Sequence, residues 1–293
     1  MATPSQWLEG ARPRTLPAAV SPVLAGTGVA AYVGHPVWWK AVLAMAVALA
    51  LQVGVNYAND YSDGIRGTDA NRVGPLRLTG SGAATPRSVK AAAFAAFGVA
   101  CLAGLVLAAT TSWWLVVLGA LAVLAAWFYT GGSSPYGYRA MGEVMVFVFF
   151  GLVAVAGTTY VQTRPLPGAT WDAAVGVGVL ACAILVANNL RDVPTDRAAS
   201  KQTLAVVVGE ERSRYLYLFL VAAAVVALAA LALMTSRLAF LGLVFLLPAV
   251  PATRVVLSGA TGRELVPVLQ RTGLAELLYA AGAFVGLLLS AST

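Results

Sequence analysis

Charged side chains are scarce in this sequence. Aspartate, glutamate, lysine and arginine make up 11% of the 293 residues, while 59% are hydrophobic. An average soluble domain carries about 25% charged residues. The composition therefore excludes an ordinary soluble domain and indicates an integral membrane protein, with residues 1–293 forming a single transmembrane domain.

Histidine and cysteine are also rare. His35 is the only histidine and lies in a polar turn beside Pro36, where a surface position is expected. Cys101 and Cys182 each lie inside an apolar segment, where a small, soft side chain usually packs, so neither a disulfide nor a thiolate metal site is predicted. The formal net charge is +7, but its basic residues stand singly in short connections. No nucleic-acid-binding surface is predicted.

Apolar segments of about 17 to 22 residues recur along the chain, which is the length of helix that crosses a bilayer core. The fold class predicted from them is an all-α integral membrane protein, a bundle of nine transmembrane helices around a central cavity that opens to the cytoplasmic side. The predicted spans cover 17–34, 39–58, 90–109, 113–130, 143–162, 172–190, 215–234, 238–256 and 273–291.

Lysine and arginine separate cleanly between the connections of this bundle. With the N-terminus in the cytoplasm, all of the 19 basic residues except Lys40, Arg164 and Arg237 lie on the cytoplasmic side. Because cytoplasmic loops of membrane proteins are enriched in lysine and arginine, this split supports both the count and the orientation. We expect a multi-pass protein of the plasma membrane, with the N-terminus and the polar loops inside and the C-terminus outside.

Two polar motifs interrupt the apolar pattern. The second span ends in VNYANDYSDG (55–64), and the sixth ends in VANNLRDVPTD (186–196). Spacings of three and four residues place the polar members of each motif on one side of a helix end. The first motif contributes Asn56, Asn59, Asp60 and Asp63, followed by Asp69, and the second contributes Asn188, Asp192 and Asp196. Pro194 is predicted to break the helix of the second motif, the sixth span, between Asp192 and Asp196.

These carboxylates predict a magnesium site. A carboxylate at membrane depth is costly without a compensating partner, and Mg²⁺ prefers carboxylate and phosphate oxygens. Two clusters at one mouth could hold a diphosphate through metal ions, and neighbouring cations would bind its remaining oxygens. The candidate cations are Arg66, Arg72, Arg77 and Lys201. The alternative is that the acids cap helix ends in water, paired with Arg66 and Arg191.

Three tyrosines and one glutamate leave two interpretations open. Tyr129, Tyr136 and Tyr138 flank the connection after the fourth span. They either belong to an interfacial aromatic belt or line the cavity and stabilise a cation, and Tyr129 is the one assigned to substrate binding. Glu143 is either an acid favoured at a helix N-terminus or a site residue.

Four stretches resemble the UbiA superfamily of intramembrane prenyltransferases: ARPRTLPAAVSPVLAGT, NYANDYSDGIRGTDANRVGPLRLTGSG, YTGGSSPYGY and NNLRDVPTDRAASKQTLAV. The resemblance implies nine helices and two aspartate-rich motifs. It implies catalytic roles for Asp60, Asp63, Asp192 and Asp196, which with Asp69 would also bind Mg²⁺. It assigns substrate binding to Asn56, Asn59, Arg66, Arg72, Arg77, Tyr129, Asn188 and Lys201. Position 67 is glycine where the family has its third acid, and Asp69 is expected to substitute.

Within this superfamily the sequence is most similar to the branch of menaquinone synthesis. That resemblance implies transfer of a polyprenyl group from polyprenyl diphosphate to 1,4-dihydroxy-2-naphthoate, with loss of CO₂. Other aromatic acceptors, such as 4-hydroxybenzoate or homogentisate, are the alternatives within the superfamily. An ion-coupled transporter is the alternative outside enzymes. A CDP-alcohol phosphotransferase fits poorly, because Gly67 and Thr68 occupy the positions of its alanine and arginine.

Overall fold

The fold is helical throughout, and no strand occurs in residues 2–67 and 76–291, which the computed structural model describes. One isolated bridge pairs Arg139 with Gln202. We number the helices α1 (Pro4–Gly10), α2 (Pro17–Tyr32), α3 (Trp38–Arg66), α4 (Pro86–Thr111), α5 (Trp114–Phe128), α6 (Gly142–Gln162), α7 (Ala169–Ala198), α8 (Leu204–Val208), α9 (Glu210–Met234), α10 (Arg237–Leu257) and α11 (Gly262–Ser290).

Seven of these helices are long and apolar enough to cross a membrane: α3, α4, α6, α7, α9, α10 and α11. An eighth span is possible if Pro4–Thr15 and α2, which are bent by 49°, count as one. Helix α5 matches the predicted span 113–130 but has 15 helical residues, about 22 Å of helix against a core of about 30 Å. The chain is thus a multi-pass membrane protein, and the count of nine stays a prediction.

The bend before α2 brings the N-terminal turn onto α3. Arg12 adopts a left-handed backbone conformation with φ of 54°, and a 3₁₀ turn, Pro13–Thr15, follows it. Asn56 of α3 fixes this turn by donating from Nδ2 to the Ala11 carbonyl and to Thr15 Oγ1, both at 2.9 Å. The N-terminal turn before α2 therefore packs against α3.

Helix α7 occupies the centre of the bundle, and its 30 residues are more buried than those of the other described spans. The prediction that Pro194 breaks this helix was wrong, since α7 continues to Ala198. A proline inside a helix removes one hydrogen bond. Here that cost is offset by packing, because Leu190 and Val193 beside it are buried.

Close helix contacts depend on small residues. A Cβ atom on Gly151 of α6 would lie 2.7 Å from the Gly178 Cα of α7, and one on Gly286 of α11 would lie 2.0 Å from the Leu238 carbonyl oxygen of α10. Because lipid tails are as apolar as the side chains, membrane helices associate largely through such tight packing. These glycines set how closely the helices approach one another.

Substitution of Gly286 therefore tests the packing. We expect Gly286→Leu to lose about 1–3 kcal/mol or more of stability, because overpacking forces the backbones apart. Thermal unfolding in detergent measures this loss. Gly98→Leu is the matched control, since its added Cβ meets nothing within 4 Å. Equal melting temperatures for the two variants would contradict this account of the packing.

Candidate active site

Two cavities meet inside the bundle near the end where α3 and α7 finish. A polar cavity of 930 Å³ is bordered by Asn59, Asp63, Arg77 and Lys201 among others. An apolar cavity of 350 Å³ extends from it between α2, α3, α4, α5 and α6. The residues that line both are Ala18, Gln52, Asn59, Tyr129, Val146 and Phe150. The shared wall suits a molecule with a polar head and an apolar tail.

Positive charge dominates the polar cavity. The acidic residues in its wall are Glu9 and Asp63. The basic residues in its wall are Arg12, Arg14, Arg77, Arg191, Lys201 and Arg263. A cleft lined mainly by one sign of charge raises the local concentration of ions of the other sign, so the cavity favours an anionic ligand.

Helix α3 contributes Asn59 and Asp63, one turn apart, to this wall. Asn59 Oδ1 accepts a hydrogen bond of 2.8 Å from the Thr130 hydroxyl, and Asp63 Oδ1 accepts one of 2.8 Å from the Tyr138 hydroxyl. Both partners lie in the loop between α5 and α6. The polar end of α3 is therefore held by this loop.

Tyr138 lies between the end of α3 and the loop that follows α7. Its ring lies 5.6 Å from the guanidinium carbon of Arg66 and 5.1 Å from Lys201 Nζ. The Ala140 amide donates to the Gln202 carbonyl at 2.7 Å, which ties the α5–α6 loop to the loop after α7. Lys201 is thereby positioned beside α3, although it follows α7 in sequence.

Helix α7 supplies a paired cluster. Arg191 donates from Nε and Nη2 to the two carboxylate oxygens of Asp192, at 2.7 and 2.6 Å, and from Nη2 to Asn188 Oδ1 at 2.8 Å. Asp196 lies 3.7 Å from Lys201 Nζ and accepts a long hydrogen bond of 3.4 Å from Thr203. Bidentate pairing of this kind fixes the guanidinium plane, so the acids orient the cations in the cavity wall.

Tyr129 and Tyr136 form an edge-to-face pair with ring centroids 5.5 Å apart. Tyr136 lines the apolar cavity, and its hydroxyl donates to the Ala125 carbonyl at 2.7 Å. Burial raises the pKa of the Tyr136 hydroxyl, so it remains a protonated donor across the physiological range. The pair gives the junction of the two cavities an aromatic surface.

Comparison with known proteins identifies the family to which this fold belongs. Residues 19–262 match the model of the UbiA prenyltransferase family. The chain belongs to this family. It is 56% identical over 280 residues to 1,4-dihydroxy-2-naphthoate octaprenyltransferase of Mycobacterium tuberculosis, covering 96% of each chain. It is 38% identical over 293 residues to the Escherichia coli protein of the same description, covering 95% of each.

The fold of UbiA proteins is also found among solved structures. A UbiA homologue from Archaeoglobus fulgidus, bound to GPP and Mg²⁺, superposes with a TM-score of 0.69 at 17% identity and covers 96% of this chain and 99% of that one. A homologue from Aeropyrum pernix gives 0.71 at 16% identity, covering 92% and 97%. The predicted family and the all-helical fold class are confirmed.

Most of the predicted substrate-binding residues of this UbiA chain border the cavities. Asn59 and Tyr129 lie on the shared wall, and Asn56 lines the apolar side. Arg77, Asn188 and Lys201 line the polar side. Arg66 instead is exposed and donates to the carbonyls of Thr130 and Gly132, outside the cavity wall. Asp69 and Arg72 lie outside the described residues.

The predicted metal ligands are less uniform in position. Asp63 lines the polar cavity, and Asp192 and Asp196 lie behind it, each against a cation of the wall. Asp60 is fully buried, and its two carboxylate oxygens accept from the amides of Leu78 and Thr79 at 2.7 and 2.8 Å. Across residues 2–67 and 76–291 no three acidic, histidine or cysteine side chains are grouped to hold a metal. The metal and catalytic roles stay predictions.

Several residues of the wall were not predicted. Arg12, Arg14 and Arg263 line the polar cavity together with Asn189, and Asn189 donates at 2.9 Å to Glu143. Glu143 is buried, which favours a role near the site over a solvated cap. The stretch ARPRTLP contains two of these arginines, but its sequence indicates only topology and family resemblance and not a position in the cavity wall.

Substitutions of Asp60 and Asp63 test stability and activity separately. We expect Asp60→Ala to lower the melting temperature, since the buried amide of Leu78 and the partly buried amide of Thr79 would lose their acceptor, at a cost of about 1–3 kcal/mol for the buried one. Asp63→Ala loses the hydrogen bond from the Tyr138 hydroxyl, so it should lower the melting temperature less than Asp60→Ala does and reduce turnover. Thermal unfolding and prenyl transfer, measured on the same detergent samples, check both. A stable but inactive Asp60→Ala protein would favour a direct role for Asp60 in the reaction.

Proposed function

We propose that this protein transfers a polyprenyl group from polyprenyl diphosphate to 1,4-dihydroxy-2-naphthoate, with loss of CO₂ and diphosphate, to give demethylmenaquinol, the reduced form of demethylmenaquinone. The naphthoate octaprenyltransferases to which it is 56% and 38% identical support this acceptor. The observation that carries the proposal is the wall shared by a cationic cavity and an apolar one. That arrangement matches a donor with a charged diphosphate head and a long hydrocarbon tail.

The diphosphate would lie in the polar cavity. Arg77, Arg191 and Lys201 line it from the loop after α3, from α7 and from the loop after α7. Guanidinium and ammonium groups bind phosphate oxygens through charge-assisted hydrogen bonds. Because the donors come from separate segments, they would hold the head from several sides and fix the reacting end of the prenyl chain at the junction.

Oxygen donors of the same wall suit Mg²⁺. Asn59 and Asp63 face the cavity from α3 and Asn188 faces it from α7, and hard oxygen ligands are those that Mg²⁺ selects. Asp63 would hold the ion from this wall, and Asp192 and Asp196 would reach it by exchanging their present cationic partners. When bound, Mg²⁺ neutralises charge on the diphosphate and makes it a better leaving group.

The apolar cavity has two tasks in this scheme. It binds the hydrocarbon tail, and it excludes water from the allylic carbon, where an electron-poor centre develops when the carbon–oxygen bond breaks. Tyr129 lies at the junction, where its ring face stabilises positive charge. A ring carbon of the naphthoate then forms the new carbon–carbon bond.

We further infer that residues 1–293 form one transmembrane domain in the plasma membrane, with the polar cavity open to the cytoplasm. The distribution of lysine and arginine supports this orientation. The cavity mouth carries Arg12, Arg14 and Arg263, the residue type that cytoplasmic loops favour. Labelling of single cysteines placed at positions 14 and 236 in intact cells tests it, and labelling of position 14 from outside would reverse the orientation.

The function itself is tested with purified protein in detergent. Polyprenyl diphosphate and 1,4-dihydroxy-2-naphthoate should give demethylmenaquinol, recovered as demethylmenaquinone after oxidation in air, with Mg²⁺ and no product with excess chelator, as read by product mass. Turnover only with 4-hydroxybenzoate or homogentisate would correct the acceptor. Absence of turnover with all of these acceptors would refute the proposal.

Gly157 tests the assignment of the tail. It lines the apolar cavity, and its added Cβ would meet nothing within 4 Å. It lies seven residues, about 10 Å of helix, beyond Phe150 of the shared wall. We expect Gly157→Phe to block the cavity and to lower kcat/KM for a polyprenyl diphosphate by about tenfold or more, with little effect on dimethylallyl diphosphate. Gly98→Phe is the control, and an equal loss with both donors would contradict the assignment.

A further inference from the structure

Gln52 of α3 carries a buried acceptor atom at the wall shared by the two cavities. The side chain is 7% exposed. Its Oε1 has no hydrogen-bond partner among residues 2–67 and 76–291. Because a buried acceptor without a donor costs free energy, such an atom at a cavity wall indicates a ligand that donates to it.

The hydrogen bonds of Thr15 establish which end of the Gln52 amide is unpaired. Thr15 Oγ1 gives its one proton to the Arg12 carbonyl at 2.9 Å. It therefore acts only as an acceptor toward Gln52 Nε2 and Asn56 Nδ2, both at 2.9 Å. With the Thr15 proton on the Arg12 carbonyl, the opposite orientation of the Gln52 amide would set two acceptor oxygens against each other. The unpaired atom is thus the carbonyl oxygen.

The prenyl donor does not suit this atom. A diphosphate presents acceptor oxygens and a prenyl chain presents only carbon and hydrogen, so neither donates to a carbonyl. Of the other polar groups on the shared wall, Asn59 already accepts from Thr130 at 2.8 Å. A phenolic hydroxyl is a donor, and an aromatic acceptor must reach the junction to meet the prenyl carbon.

We propose that Gln52 Oε1 accepts a hydrogen bond from a ring hydroxyl of the aromatic acceptor and positions that ring at the junction. The inference rests on the proposed function and adds to it a residue that determines acceptor specificity. The hydrogen bond places partial negative charge on the hydroxyl oxygen. That charge increases the electron density of the ring carbons that attack the prenyl chain. The contact would therefore assist both binding and reaction.

The first measurement compares KM for the two substrates. Gln52→Met keeps the length of the side chain but removes the carbonyl, and we expect it to raise KM for 1,4-dihydroxy-2-naphthoate about tenfold while KM for polyprenyl diphosphate stays within about twofold. Gln162→Met is the matched control. Gln162 is also 7% exposed, but its Oε1 accepts from the Val37 amide at 3.2 Å and it lies outside both cavity walls.

A second measurement identifies the hydrogen bond itself. The two monomethyl ethers of the naphthoate each replace one hydroxyl donor with a methoxy group, and both are measured as competitive inhibitors. In the wild type, one of them should bind about tenfold more weakly than the other. That difference should vanish in Gln52→Met and persist in Gln162→Met.

The outcomes separate the two proposals. No naphthoate turnover by the wild type would refute the proposed acceptor, and with it the role of Gln52 toward that acceptor. Normal wild-type turnover with an unchanged naphthoate KM in Gln52→Met, or with a difference between the ethers that persists in that variant, would overturn the role of Gln52 alone. Equal effects of the Gln52 and Gln162 substitutions would attribute the loss to packing and overturn it as well.

Discussion

Polar groups inside a membrane bundle must find partners within the protein, and the last three turns of α3 show how this chain meets that constraint. Asn56 bonds the N-terminal turn, Asn59 and Asp63 bond the α5–α6 loop, and Asp60 bonds the amides of Leu78 and Thr79. These four polar residues thus hold three different segments against α3. The site is assembled around one helix end because that end cannot be left unsatisfied.

The same constraint explains the charge of the polar cavity. Cations near membrane depth are costly unless paired, and Asp192 and Asp196 lie against Arg191 and Lys201 behind the wall. The acids stabilise the cations where an anionic head would bind. Beyond Phe150 the wall becomes apolar, so the charged and the hydrocarbon parts of one donor would be separated within a single continuous space.

Hydropathy predicted most of this fold, because membrane spans depend on length and composition alone. Helix α5 is shorter than its apolar segment, and α7 continues through Pro194 since tertiary packing outweighs one lost hydrogen bond. Asp60 and Asp63 differ by three residues, which is 60° around a helix, so periodicity places them together. The structure gives them different partners, because Asp60 accepts from the amides of Leu78 and Thr79 in the loop after α3 while Asp63 lines the cavity, and no local pattern reveals this difference.

The role proposed for Gln52 could not be predicted from the sequence, for a related reason. A single glutamine in an apolar helix has no motif, and its importance lies in an unpaired oxygen whose direction Thr15 determines. Thr15 and Arg12 belong to the stretch ARPRTLPAAVSPVLAGT, which resembles the family. In the proposal for Gln52, the Thr15 hydroxyl determines which atom of the amide would face the substrates. The N-terminal turn would then be part of the site together with the aspartate motifs.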